Sequence, residues 1–330
     1  MRNIFSLFIL FAFVTTVFAG DFKLGKYANE SISFGVGGRA LGLGGAYTAL
    51  AKDVSAIYWN PAGLANIEYP QVMLMHSQLF QNAVNYNFAG FALPMGESRT
   101  LGFGIVRVSV DDIIVTKVPY PDRPLGGDNR PDTAKVISDA EYAFYFSYAI
   151  KRSERFSYGG NVKVMHKGVG DHSAWGLGFD ISMLYNPTGK LFVGANLNDA
   201  TSTILAWDTG RKEIIVPALK LGATYPVTLP ILGGYVSPAV DIEMRFEGRD
   251  YAAQVAAGPV SADIHFGGEY QFKELLAVRI GSDAGNFAAG AGIRLPKLQI
   301  DYAFMRHDDL DASHRISARL TIMEPKFRRR

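Results

Sequence analysis

The amino-acid sequence predicts an all-β protein, a transmembrane antiparallel β-barrel of about 14 strands with a small N-terminal helical hatch or plug. Three observations carry that expectation. The chain opens on an export-type apolar segment, the part after residue 70 alternates apolar and polar residues with period two, and the connections between alternating segments are long on one side only.

Composition sets the frame. The chain has 330 residues, 48% of them hydrophobic, with 35 Gly and no Cys. Lys plus Arg at 33 against Asp plus Glu at 31 leaves a net charge of +2, too balanced for a nucleic-acid partner. Disorder is excluded by the apolar content. Without cysteine there is no disulfide framework, thiolate metal site, Cys nucleophile or lipidated Cys.

Taken in order, residues 1–19 read as a secretory signal peptide. Arg2 is a minimal positive region, Ile4 to Val14 is an apolar run, and Val17-Phe18-Ala19 is a small-residue cleavage site before Gly20. The run is shorter than the roughly 20 residues of a membrane anchor.

Residues 20–70 do not alternate. Arg39 to Ala51 is rich in Gly and Ala, with Leu41, Leu43, Ala46 and Leu50 as a small apolar stripe. Asp53 suits the N-cap of a short helix through Tyr58, and Asn60-Pro61 has the N-cap and N1 order of another turn that Gly63 can end. So many small residues let backbones approach closely, as in a compact plug.

Residues 71–330 supply the barrel. Ser173 to Asn186 shows the pattern: Trp175, Leu177, Phe179, Ile181, Met183 and Tyr185 on one face, Ala174, Gly176, Gly178, Asp180 and Ser182 on the other. Such segments recur from Gln71–Leu79 to Ser313–Met323. A soluble sandwich also alternates. Here the polar faces are rich in Gly, Ala and Ser with isolated charges, and aromatics such as Tyr142, Tyr148, Trp175 and Tyr225 sit near strand ends, which favours lipid outside.

Connections such as Met95 to Ser98, Pro187 to Gly189 and Lys273-Glu274 are short, whereas Asp111 to Asp139, Asp199 to Glu213 and Glu247 to Pro259 are long. That asymmetry places both barrel termini in the periplasm of a diderm bacterium, with the Pro-rich loop of Pro119, Pro121, Pro124 and Pro131 outside. The alternation turns Lys163, Asp180, Lys220, Asp241, Glu243, Arg245, Asp263, Glu269, Arg279, Asp301, Arg315 and Arg319 inward. Mixed charge there suits cross-strand ion pairs around the plug more than direct ligand contact.

Chemistry motifs are weak. Gly35-Val36-Gly37-Gly38-Arg39-Ala40 fits the degenerate dinucleotide fingerprint but lacks a preceding strand. The run His307-Asp308-Asp309-Leu310-Asp311 lacks calcium-loop spacing and reads as a solvated turn. No catalytic residue, cofactor or metal site is expected.

The run Gly37-Gly38-Arg39-Ala40-Leu41-Gly42-Leu43-Gly44-Gly45-Ala46-Tyr47, followed by Ala51 to Ala65 with Tyr58-Trp59-Asn60-Pro61-Ala62-Gly63-Leu64 at its centre, resembles the N-terminal signature of PorV/PorQ family proteins in the broader FadL-like outer-membrane superfamily. The resemblance implies a 14-stranded barrel with an N-terminal hatch and makes Trp59, Asn60, Pro61, Ala62 and Gly63 the hatch motif. It implies one of two roles. One is a passive outer-membrane channel for fatty-acid-like hydrophobic molecules, gated by the hatch. The other is a component of type IX secretion or surface-protein assembly. Expected partners are therefore outer-membrane lipids together with a hydrophobic small molecule or secretion-system proteins, and no nucleic acid.

Overall fold

The computed structural model describes the backbone of residues 23–24 and, more fully, residues 32–249, 253–307 and 311–329. The expected signal peptide, residues 1–19, lies outside the described residues, as do Asp308, Asp309 and Leu310 of the polar turn.

From Gln71 onward the period-two pattern becomes a closed antiparallel barrel of 14 strands. In chain order these are β1 Gln71–Leu79, β2 Val84–Met95, β3 Arg99–Lys117, β4 Asp132–Ser153, β5 Phe156–Val169, β6 His172–Tyr185 and β7 Phe192–Asn198. They continue as β8 Ala218–Thr224, β9 Gly234–Arg245, β10 Val260–Phe272, β11 Leu276–Asp283, β12 Asn286–Arg294, β13 Leu298–His307 and β14 Asp311–Thr321. Pairing of β14 with β1, from His314 opposite Gln78 to Thr321 opposite Gln71, closes the ring. Closure removes both sheet edges.

Burial is inverted relative to a soluble barrel. In β6, Trp175, Ile181 and Leu177 point outward at 56%, 61% and 51% exposure, while Ala174, Asp180 and Ser182 are buried. The same outward coat recurs in Phe146, Phe266, Val278, Ile280 and Ile316. A continuous apolar surface of this extent is foreign to a protein surrounded by water. No described helix is long and apolar enough to cross a membrane.

Two of the expected long loops are largely strand. β3 runs to Lys117 and β4 starts at Asp132, so only residues 118–131 remain of the loop expected over Asp111 to Asp139. Ile113, Ile114 and Val115 pair with Ile137, Val136 and Lys135 beyond a bulge after Val110, where Asp112 takes φ 59°. The β-branched residues extend the ladder, and the bulge absorbs the acidic interruption that suggested a loop. Within Asp199 to Glu213, strands Thr203–Trp207 and Lys212–Ile215 form a hairpin that pairs with the part of β6 that β7 does not reach.

The segment before the barrel carries helix α1, Gly38–Gly42, helix α2, Ala56–Trp59, and a 3-10 turn, Pro61–Asn66. Two expectations need correction. Asp53 is not the N-cap: Ser55 precedes α2, and Asp53 Oδ1 instead accepts from Ser55 N at 2.9 Å and Ser55 Oγ at 2.5 Å. Gly63 does not end the Pro61 turn, which continues to Asn66. Gly63 is required by packing, since a Cβ there would lie 1.7 Å from Ala51 O.

Candidate functional site: the plug and the lumen wall

Residues 32–67 occupy the lumen. Leu41, Leu43, Tyr47, Ile57 and Leu64 are at most 1% exposed, deeper than any outward barrel residue. Most of this segment is outside regular helix, so its backbone polar groups need partners from elsewhere. The wall supplies them. Asp241 Oδ2 accepts from Tyr47 N and Thr48 N at 3.0 and 2.8 Å, Gly38 N donates to Ser317 Oγ at 2.9 Å, and Ala62 N donates to Ser182 Oγ at 2.8 Å. In the other direction Ser157 Oγ donates to Ala62 O, Asn161 Nδ2 to Ile57 O, Asn196 Nδ2 to Trp59 O and Thr100 Oγ1 to Leu64 O, at 2.9 to 3.2 Å.

The expected hatch motif lies at the centre of these contacts. Asn60 is fully buried, and its Nδ2 donates to Thr48 O at 2.8 Å and to Met183 O of β6 at 3.1 Å. The side chain thus ties two plug segments to the wall instead of capping the turn that follows. Trp59 Nε1 donates to Val36 O at 2.8 Å, and its ring meets Tyr58 and Tyr47 edge-on. Pro61 opens the 3-10 turn at a position whose missing N–H costs nothing. Ala62 and Gly63 are buried against β5 and Ala51.

Wall glycines let the plug approach. An added Cβ at Gly267 or Gly281 would come within 2.4 and 2.3 Å of the Leu43 backbone, from neighbouring strands β10 and β11. These contacts leave no room for even a methyl group.

The inward charges separate into groups. Lys163 pairs with Asp199 at 2.7 Å and Asp180 at 3.5 Å; Glu243 pairs with Lys220 at 2.7 Å and Arg245 at 2.6 Å. Arg279 joins Glu269 at 2.7 Å to Asp301 at 2.9 Å, and Arg39 of the plug docks on the same Glu269. Arg319 reaches Asp53 of the plug and Gln299. Burial alone would raise the Asp53 carboxyl, but Arg319 and Arg39 beside it hold it below its ordinary value. Asp241 serves plug backbone, as described, and Arg315 is buried with Nε and Nη1 unpartnered.

Asn161, Asn196, Ser157, Ser182, Ser317 and Thr100 also hold the plug backbone from the wall, a role expected only of the inward charges. Their signal was the small polar residue opposite a large apolar one on each strand.

Toward the long-loop end a cavity of about 180 Å³ lies beside Trp59, lined by Phe34, Leu41 and Met305 but also by Lys220, Glu243, Arg245 and Arg315. It is a charged space, large enough for several waters. Toward the short-turn end a separate vestibule of about 600 Å³ opens beneath the plug.

An apolar-coated barrel whose lumen is filled by its own N-terminal segment is the architecture of a plugged membrane-type β-barrel. The chain belongs to the uncharacterised protein family UPF0164, whose family model matches residues 14–182. A UPF0164 protein of Treponema pallidum (strain Nichols) is 33% identical over 82 residues. That stretch covers 25% of this chain and 24% of the relative, so the chain spans about a quarter of the relative's length. Among solved structures, the toluene transporter TodX of P. putida matches with a TM-score of 0.65 at 11% identity, over 88% of this chain and 99% of that one. The monoaromatic hydrocarbon channel CymD matches with a TM-score of 0.62 at 13% identity, over 88% and 98%. The toluene transporter TbuX of Ralstonia pickettii gives 0.59 at 12%, over 87% and 98%. At these identities the likeness is one of fold.

Proposed function

We propose that the chain is an outer-membrane channel for hydrophobic small molecules of the fatty-acid or hydrocarbon class, held shut by its N-terminal plug. The observation that carries this reading is the apolar coat on a closed barrel whose lumen is filled by the chain's own residues 32–67. TodX, CymD and TbuX, which share the architecture, are named as transporters and channels for such compounds. In this reading the outward coat is solvated by lipid, and the short-turn end, where β1 begins and β14 ends, faces the periplasm.

Opening requires the plug to shift. Its attachments are hydrogen bonds and ion pairs that water can replace one at a time as solvent enters, so the plug can leave its seat without unfolding the wall. Asn60 is the natural gating residue because its one side chain bridges Thr48, the turn after Trp59 and β6. Uptake of a hydrophobic probe into liposomes tests the reading. The intact protein speeds entry over protein-free liposomes, and Asn60→Ala or Pro61→Ala changes the rate while the barrel still assembles. Equal rates with and without protein refute transport; equal rates in wild type and both variants refute gating by this motif.

A PorV/PorQ-type role in secretion or surface-protein assembly is favoured by a different feature, the β3–β4 hairpin. The 22 residues of β4 span about 70 Å along the strand, or roughly 50 Å of height at a tilt of about 45°, against an apolar band about 25 Å tall. The hairpin therefore rises well above the coat and presents residues 118–131, a compact tip in which buried Asn129 binds Tyr120, Arg123 and Pro124. In that role, removing residues 118–131 abolishes co-purification of partner proteins. Partners retained by the deletion variant would rule it out.

A further inference from the structure

The two ends of the lumen differ in charge. At the long-loop end Lys220, Arg245, Arg249 and Arg315 around the cavity beside Trp59 face Glu243, Asp263 and Asp283, a near balance. The vestibule at the short-turn end is unbalanced: it is lined by Arg39, Lys52, Lys273, Arg294, Lys297 and Arg319, with only Asp53 and Glu274 as acids.

Arg39 and Arg319 have carboxylate partners. The other four cations have none among the described residues. Lys52 lies over the Phe192 ring at 3.0 Å, Lys273 over Phe272 at 5.0 Å, and Arg294 donates to Gln299 at 3.3 Å. Neither the aromatic faces nor the amide supplies a negative charge; Lys52 and Arg294 are half-buried, and Lys273 and Lys297 stand exposed at the rim. Arg319 also keeps a buried Nε without a partner. Cations gathered in a recess with low-dielectric walls produce a field that concentrates anions there.

We infer that this vestibule is an oxyanion site, binding the phosphate or carboxylate group of a lipid or of a free small molecule at the underside of the plug. Lys52 and Lys297 supply point charges on the plug and on the β12–β13 turn, and Arg294 a planar fork suited to two oxygens of one group. Burial and the neighbouring Arg39 lower the Lys52 amine to about 7. A bound anion reverses that shift by stabilising the protonated amine. The inference stands independently of transport, since it requires neither plug movement nor a hydrophobic cargo.

The test follows acylation of Lys52 and Lys297 by an amine-reactive ester, residue by residue by mass spectrometry, on the full chain in non-ionic detergent. Inorganic phosphate, short-chain phosphatidylglycerol and short-chain phosphatidylcholine are the probes. An oxyanion site slows acylation of both lysines about tenfold at saturation, the effect of one ~1.4 kcal/mol contact. Protection by phosphate identifies a free anion as sufficient; protection by phosphatidylglycerol without phosphate or phosphatidylcholine identifies an anionic lipid headgroup. Lys52→Met and Lys297→Gln each weaken protection of the remaining lysine. Absence of protection by phosphate and phosphatidylglycerol, equal protection by both lipids without phosphate, or unchanged protection in both variants overturns the inference.

Discussion

Arg39 and Glu269 join the plug to the barrel wall through a two-pronged ion pair. Arg39 Nε donates to Glu269 Oε2 at 2.8 Å and Nη2 to Oε1 at 2.7 Å, with the Glu269 side chain fully buried. Glu269 also accepts from Arg279 at 2.7 Å, so the carboxylate is shared between a plug cation and a wall cation.

Removing one partner strands a buried charge. Arg39→Met leaves Glu269 with Arg279 alone, whereas Glu269→Gln leaves two guanidiniums facing a neutral amide. Glu269→Gln should therefore be the more damaging of the two, destabilising by about 3–5 kcal/mol, read as a lower urea midpoint of the purified barrel. A double variant no worse than Glu269→Gln alone would show that the two residues act as one unit.

The wall glycines under Leu43 make a sharper prediction about the plug than about the barrel. Gly281→Val places side-chain atoms where the Leu43 backbone runs, while β11 keeps its ladder to β10 and β12. The strand ladder survives and the plug is displaced. Protease cleavage within residues 40–60 should appear in the variant and be absent from wild type, with the 71–321 fragment still resistant.

Asn60→Ala removes both carbonyl contacts of a fully buried amide. Orphaned buried acceptors cost about 1–3 kcal/mol each. Amide hydrogen exchange should quicken around residues 48–66 and stay unchanged in β9 to β14.

Lys52 titrates near neutrality. Its amine is lowered from 10.5 to about 7, first by burial and then by Arg39. Between about pH 7 and 10.5 the unfolded chain therefore holds a proton that the folded chain has released, so this group makes stability rise with pH across that window. Urea midpoints should climb less steeply in Lys52→Met than in wild type over the same range.

The strands and their two faces were readable because alternation over ten residues admits few alternatives. Ser173 to Asn186 was expected and His172–Tyr185 is found. The β3–β4 extension was hidden by Asp111 and Asp112, which a bulge accommodates. The plug contacts were illegible for a different reason: Asn60 and Met183 lie 123 residues apart, and only closure of the ring brings them together. Arg39 was visible as a residue of a glycine-rich run, but its partner Glu269 comes from the tenth strand.

The glycines beneath Leu43 bear on how the barrel is made. Gly281 faces the plug next to outward Ile280 on β11, and a one-residue slip of that strand would turn Ile280 into the space Leu43 fills. With the plug seated, that slip would drive a side chain into the Leu43 backbone, so the seat of the plug and the register of β11 depend on each other.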